Sequence, residues 1–589
     1  MGSALRTHAP WALVGILGAA ALAAIATARG EPVNALWVVV AAVSVYLIAY
    51  RYYSLYIARR VMRLDPTRPT PAVRHNDGLD YVPTNRYVLY GHHFAAIAGA
   101  GPLVGPVLAA QMGYLPGLLW ILAGVVLAGA VQDSMVLFVS MRRDGRSLGE
   151  LVREELGTVP GVIALFGTFM IMVIILAVLA LIVVKALAES PWGFVTVAAT
   201  IPIALFMGIY TRYIRPGAIG EVSVIGFVLL MGAIFLGQAV SQDPALAARF
   251  TFTGTQLCWM LIGYGGMLME SFVAVMALVA ASVLDPGVYF TMNSPAAVIG
   301  TTPESAAAAV TAMGFPITAA EIAQTATDVG ETTIISRVGG APTLAVGMAH
   351  IFASALGGKA MMAFWYHFAI LFEALFILTA VDAGTRAGRF MLQDLLGVFV
   401  PAFRNTSSWG ANVAATALCV GAWGDFLYQG VTDPLGGVNT LWPLFGISNQ
   451  MLAAVALMLC TVVIFKMKRE RYAWVTIVPL TWLVACTLTA GLQKVFSADP
   501  RVGFLSHAAR FSDALDRGQV LAPARNVDQM RQIVLNDRID AALALLFVAV
   551  VLGILYFGVR ACLDAYRTQG WTAREVGGPV RGPGRVAAE

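Results

Sequence analysis

Charge is what this sequence has least of. Of 589 residues, 38 are Lys or Arg and 33 are Asp or Glu, or 12%, about half the roughly 25% of an ordinary soluble domain. Such a chain cannot offer water enough polar surface, which excludes a cytosolic enzyme, a disordered chain and a nucleic-acid binder. Cysteine is scarce as well. Cys258, Cys419, Cys460, Cys486 and Cys562 lie in or beside apolar segments and form no Cys-x-x-Cys pair, which argues against a disulfide framework or a cysteine metal site. No phosphate-binding loop is present, because Gly358-Lys359 is followed by Ala, and there is no His-Glu-x-x-His. No metal and no cofactor are expected.

Apolar sequence is present in excess: 59% of residues are hydrophobic and 58 are Gly. Long apolar runs predict helices near 11–28, 34–50, 87–111, 115–139, 160–186, 193–211, 218–240, 255–281, 342–355, 360–382, 409–424, 441–465, 473–492 and 538–560. Most approach the roughly 20 residues that cross a bilayer. The expected fold is an all-α polytopic membrane protein of about 14 spans. The first run is longer than a signal-peptide core and reads as a retained span. Basic residues set the orientation. The N-terminus, 51–86, 141–158, 212–217, 282–341, 383–408, 466–472 and the tail from 560 hold 27 of the 38. Both termini are therefore expected in the cytoplasm. The polar segment 493–537, with Arg538, carries 7 basic residues and counts against that rule; it is expected outside.

Two spans are poor helices. In 87–111, Gly-Ala-Gly-Pro-Leu-Val-Gly-Pro puts five Gly or Pro between 99 and 106, and 255–281 contains Gly263-Tyr264-Gly265-Gly266. Unwound backbone persists at membrane depth only where protein or a wet cavity covers it. The two spans are five apart and run in opposite directions. They therefore predict an inverted repeat of two five-helix units, at 87–240 and 255–465, the pattern of an alternating-access transporter. Residues 1–86 form a leading two-helix hairpin and basic loop, and 466–589 a closing pair of helices with the polar segment and tail. The competing explanation is close helix packing on small residues.

Polar groups inside spans are costly and mark function. His92 and His93 precede the first break, Asp133 lies late in its span, and Glu270 follows Gly266 by one helical turn. Gln132, His350, His367 and Glu373 are further examples, while Lys185 and Glu221 sit near span ends. Asp133 and Glu270 are candidate proton carriers or structural partners. The histidines suit proton relay or hydrogen bonding to substrate, and adjacent histidines point about 100° apart on a helix, awkward for a shared metal. Asp382 and Arg386, four apart, suit a pair at an inner gate or a plain solvated helix end.

The run Asn85-Arg-Tyr-Val-Leu-Tyr-Gly-His-His-Phe-Ala-Ala-Ile-Ala-Gly-Ala-Gly-Pro102 closely resembles the carbon starvation protein A (CstA) family. So do Ala130–Asp133, Tyr264–Glu270, Asp382–Arg386, Gly430–Gly437 and Leu441–Met451. The likeness covers roughly 50–465. It implies a bacterial inner-membrane transporter linked to uptake of pyruvate or peptides, in some members by proton symport. It also implies the LeuT-like inverted repeat of the amino acid–polyamine–organocation superfamily. On this reading a small carboxylate meets the backbone freed at Gly99, Ala100 and Gly101 and at Tyr264, Gly265 and Gly266, with His92 or His93 as donors. Asp133 or Glu270 takes the coupling proton, Na⁺ remaining open, and Asp382 with Arg386 serves as gate. A channel and a membrane-embedded enzyme are the other classes.

Overall fold

A computed structural model describes the chain except residues 1, 28–34, 77–80, 98–99, 111–113, 216–217, 263–282, 338–339, 357, 406–407 and 574–589. The described residues are helices and connections, with no strand among them. We label α1 Gly2–Thr27, α2 Ala35–Ile48, α3 Arg86–Ile97, α4 Ala100–Ala109, α5 Tyr114–Gly124, α6 Ala130–Met141, α7 Leu148–Leu156, α8 Thr158–Leu187, α9 Pro191–Ala198, α10 Thr200–Ile209 and α11 Ile219–Gln242. There follow α12 Gly254–Ile262, α13 Pro286–Asn293, α14 Pro303–Ala312, α15 Ala319–Val329, α16 Ala341–Leu356, α17 Met362–Phe399, α18 Trp409–Thr432, α19 Val438–Lys466, α20 Trp474–Phe496, α21 Phe504–Asp516 and α22 Val527–Arg567.

The chain packs around α8. Its 30 residues are almost continuously apolar, and most are buried, as expected for a helix with no watery or lipid face. α17, α18, α19 and α22 surround it, with α7 at one end. Small residues set the approach. A Cβ on Gly167 would come within 2.5 Å of Val550 Cγ1 on α22, and one on Gly384 within 2.5 Å of Leu176 on α8. Other helices keep large apolar side chains outward, such as Phe227, Val228, Phe235 and Leu236 on α11, which is the surface a bilayer covers.

Charge collects at two opposite faces. On the basic face, Arg143 Nε donates to Glu155 (3.1 Å), and Lys466 Nζ reaches Glu155 Oε2 (2.8 Å) and the Glu155 carbonyl (2.7 Å). Ser147 donates to Asp394 (2.6 Å). Burial opposes ionisation of Glu155, but Lys466 and Arg143 outweigh it and hold its carboxyl below the usual range. Both described ends of the chain lie here: His8 Nδ1 is 2.8 Å from Tyr52 Oη, and Thr572 N–H donates to Lys466 O (3.0 Å). Gly145–Gly149 spells Gly-x-Ser-x-Gly, but Ser147 caps α7 instead of topping a strand-to-helix elbow.

The opposite, far face joins Ser190 Oγ to Glu331 Oε1 (3.0 Å), Arg337 Nη1 to Ala188 O (3.4 Å), and Glu189 N–H to Phe252 O (3.0 Å). This corrects the expected side of 282–341: its residues 331–337 share the face of Lys185, not that of the basic loops. The segment has one basic residue, Arg337, so charge gave no signal and its side rested on counting spans. α16, which follows this segment, is consistent with its side. At 16 residues it is about 24 Å long, short of the roughly 30 Å core.

Ten helical stretches among the described residues are long and apolar enough to span a membrane, against 14 expected. The other four are the broken 87–111, 255–281 (largely outside the described residues), the short 342–355, and 409–424, whose helix α18 is long but less apolar. Direction is informative. α8 runs from basic to far face, α9–α10 back, and α11 out again; α17, α18 and α19 run in the opposite senses. His367 on α17 is near Glu331 while Asp394 accepts from Ser147; Gln393 donates to Asn412 at the start of α18; Thr440 and Lys466 mark the two ends of α19.

Two stability outcomes follow. Glu155→Ala leaves two cations without their buried partner and costs about 3–5 kcal/mol, read as a lower melting temperature in detergent; Asp528→Asn, a solvated control, leaves it unchanged. Gly167→Leu overpacks the α8–α22 seam by about 1–3 kcal/mol, whereas Gly553→Leu, with open space around it, does not lower the melting temperature.

Candidate functional site

Of the first Gly/Pro-rich stretch, Gly101, Pro102, Gly105 and Pro106 lie inside α4, so residues 100–109 are helical rather than unwound as expected, while 98–99 are outside the described residues. His93 is exposed, and Gly101 faces α19, where a Cβ would sit 3.7 Å from Phe445 Cζ. The family-like runs 85–102 and 441–451 therefore meet in space. Gly99 and the side chains of His92 and Ala100 lie outside the described residues, as do Tyr264, Gly265, Gly266 and Glu270. Asp133 is half-buried on α6 with no hydrogen bond or ion pair among the described residues. Arg386 Nε is 3.6 Å from Asp382 Oδ2 midway along α17, where Gly384 packs on Leu176 in the middle of α8, with the Arg386 side chain exposed.

What the sequence did not single out is a cavity of about 1060 Å³ on the far face. Lys185 enters it from the last turn of α8 and Lys494 from the last turn of α20; Arg337, Arg510 and Arg525 line it too. The segment 493–537 forms its outer wall. α21 lays Ala508, Phe511 and Ala514 against Met530, Ile533 and Val534 of α22, making a small core of its own. The basic residues of this segment, an exception to the orientation rule, thus have a local use: several face the cavity. Lys494 Nζ also lies 5.7 Å from the Phe504 ring, a distance suited to cation–π attraction.

Beside the cavity, Arg337 Nη2 donates to Glu331 Oε2 (3.0 Å) and His367 Nε2 is 3.6 Å from Glu331 Oε1. The His367 ring stacks on Trp192 with centroids 3.8 Å apart. Burial raises Glu331 above the usual carboxylate range, opposed by Arg337 and Ser190. At the cavity floor Thr440 Oγ1 donates to Asp433 Oδ2 (2.7 Å), Leu435 N–H donates to Asp433 Oδ1 (3.1 Å), and His507 Nδ1 lies 2.6 Å from Asp537 Oδ2. Burial, the largest influence, raises Asp433 too. Deeper, on α17, Glu373 is 1% exposed with neither oxygen hydrogen-bonded. The sequence does flag Lys185, His367 and Glu373 as polar residues in spans; Glu331, Asp433 and Asp537 fall in segments with no span around them, so no cost of burial was visible.

No solved structure matches this chain. The family model described as carbon starvation protein CstA matches residues 34–264 and 260–490. The peptide transporter CstA of Escherichia coli (strain K12) is 56% identical, with 96% of each chain covered. The pyruvate/proton symporter BtsT of the same organism is 51% identical, again with 96% of each covered. The peptide transporter CstA of Helicobacter pylori (strain J99) is 45% identical over 94% of this chain and 96% of its own. With its apolar helices and these near-full-length likenesses, the chain is a multi-pass membrane transport protein and belongs to the carbon starvation protein CstA family.

Proposed function

We propose that the protein imports a small carboxylate such as pyruvate by proton symport across a bacterial inner membrane, through alternating access. The observation that carries this reading is the far-face cavity with Lys185, Arg337, Lys494, Arg510 and Arg525 on its wall. A basic wall raises the local concentration of an anion arriving from outside. The basic face is then cytoplasmic and holds both termini, while the cavity opens outward. The opposed directions of α8–α11 and α17–α19 support two inverted five-helix units of LeuT type, with about 14 membrane segments counting broken and short ones. Substrate would sit between the stretches at Gly99–Gly101 and Tyr264–Gly266. Helix ends freed there supply N–H groups and positive dipole ends for a carboxylate, with His92 or His93 beside them. Asp133 or Glu270 would take the coupling proton, with Na⁺ as the alternative ion, and Asp382–Arg386 would form an inner latch.

Peptide import is the second reading. It is supported by the 56% identical relative named a peptide transporter. Both substrates present a carboxylate, so the cationic wall suits either.

Uptake of labelled pyruvate and of a dipeptide into proteoliposomes separates these readings. The expected outcome is pyruvate concentrated under an inward proton gradient and not under a sodium gradient. Accumulation of dipeptide alone would reverse the substrate choice, and uptake linear in substrate without concentration would indicate a channel. Replacing Arg510 and Arg525 together by Gln is expected to raise KM for pyruvate by about 2–10-fold at low salt, with kcat kept and the difference fading as salt screens the field.

A further inference from the structure

The floor of the far-face cavity holds more buried acid than its partners neutralise. Asp433, Asp537 and Asp540 are 6%, 3% and 3% exposed. Asp537 and Asp540 are three apart on α22, so they share a face, and Asp540 lies within electrostatic reach of both Asp537 and Asp433. Asp433 is held by Thr440 and the Leu435 amide, and Asp537 by His507. Asp540 is different: its Oδ2 is buried without a hydrogen-bond partner. Leaving a carboxylate oxygen dry and unpaired is among the costlier arrangements a protein can hold. A carboxylic acid proton is the simplest species that relieves it.

The charged and titratable groups around this floor come from every element that packs on it. Lys185 arrives from α8 and acts on Asp433; His507 and Arg510 come from α21, Lys494 from α20, and Arg501 and Arg525 from the connections on either side of α21; Glu189 and Arg337 line the wall beyond. Arg337 is committed to Glu331. Of these groups, Lys185 acts on Asp433 and His507 on Asp537, while among the described residues Asp540 meets only the other two acids, and like charges in a low dielectric do not all ionise. Access is also built. Asp537, His507 and Lys185 line the cavity, while Asp540 does not, so the shallow acid meets solvent and the deep one lies behind it.

We propose that Asp433, Asp537 and Asp540 form a proton-binding site, with Asp540 the deep acceptor and Asp537 the group that exchanges the proton with solvent in the cavity. One proton binds and one O–H bond forms; no other reactant is needed. Its role in coupling rests on the symport reading above; the binding itself does not. A proton held here beside Lys185 would also lessen the negative field that an incoming carboxylate meets.

Two measurements on the full-length protein test this. Infrared difference spectra of the purified protein across a pH step are expected to show a protonated-carboxyl C=O band that is lost in Asp540→Asn and shifted in Asp433→Asn. In proteoliposomes, Asp540→Asn is expected to lose proton-driven accumulation while counterflow exchange, which needs no net proton movement, stays within about twofold of wild type. Should Asp540→Asn fail to fold, Asp537→Asn is read in both assays, with slowed band formation expected. A wild-type spectrum with no such band, or one unaltered by all three substitutions, overturns the site. Proton-driven accumulation intact in every folded variant overturns its role in coupling. A wild-type band without any proton-driven accumulation would instead remove the symport reading and leave the proton site standing.

Discussion

The cost of holding charge away from water organises this molecule. An uncompensated ion in a low-dielectric interior is penalised by several kcal/mol even after relaxation, and the chain responds by segregating its few charges to two faces. On the basic face Glu155 gathers Arg143 and Lys466, tying the end of α6, α7 and the end of α19 at one point. On the far face Glu331 gathers Ser190, Arg337 and the neighbourhood of His367. Between them runs α8, whose side chains are apolar through almost all of its length. The two buried carboxylates act as clamps at opposite ends of one apolar mast.

That arrangement explains why helix direction survives where helix length does not. α8 and α17 lie side by side and antiparallel, and glycine opens the seam: Gly384 takes Leu176 against its backbone. Each is followed by a return helix and then another in the original sense. If these are the proposed inverted units, equivalent elements would lie on opposite sides of the membrane midplane, and a rocking motion would open one face while closing the other. The far-face clamp joins the connection after α8 to the segment before α16, which puts an ion pair at the kind of boundary such a motion must strain.

Much of this was legible in the chain because apolar periodicity and length are set by the bilayer itself. The stretches that became α8, α11, α19 and α20 needed no context. Residues 282–341 were not legible, since one arginine in sixty residues leaves the sidedness rule nothing to weigh, and a 16-residue apolar helix reads as a span until its ends are located. The segment 493–537 showed the converse failure. Its basic residues looked like a violation of orientation, whereas several of them furnish a cavity wall. For the site, the sequence pointed to Asp133, Glu270 and the glycine stretches because polar or flexible residues stand out inside apolar runs. Asp433 and Asp537 are polar residues in polar surroundings, and only tertiary packing makes them buried. Asp540 did carry one readable sign: an acid inside the predicted span 538–560, three residues after Asp537.

The electrical side of transport gives the pairing of cationic cavity and carboxyl cluster a common logic. An inside-negative membrane opposes entry of an anion by about 2.3 kcal/mol per elementary charge for each 100 mV. A carboxylate entering alone works against that field, while a carboxylate entering with one proton moves no net charge and is driven by the pH difference alone. A zwitterionic peptide with the same proton is a net cation and gains from both. On the proposed reading, the cationic wall would attract the carboxylate in either case, and a protonatable floor would turn attraction into permitted passage. One set of residues in this chain would then suit either cargo, because both present a carboxylate.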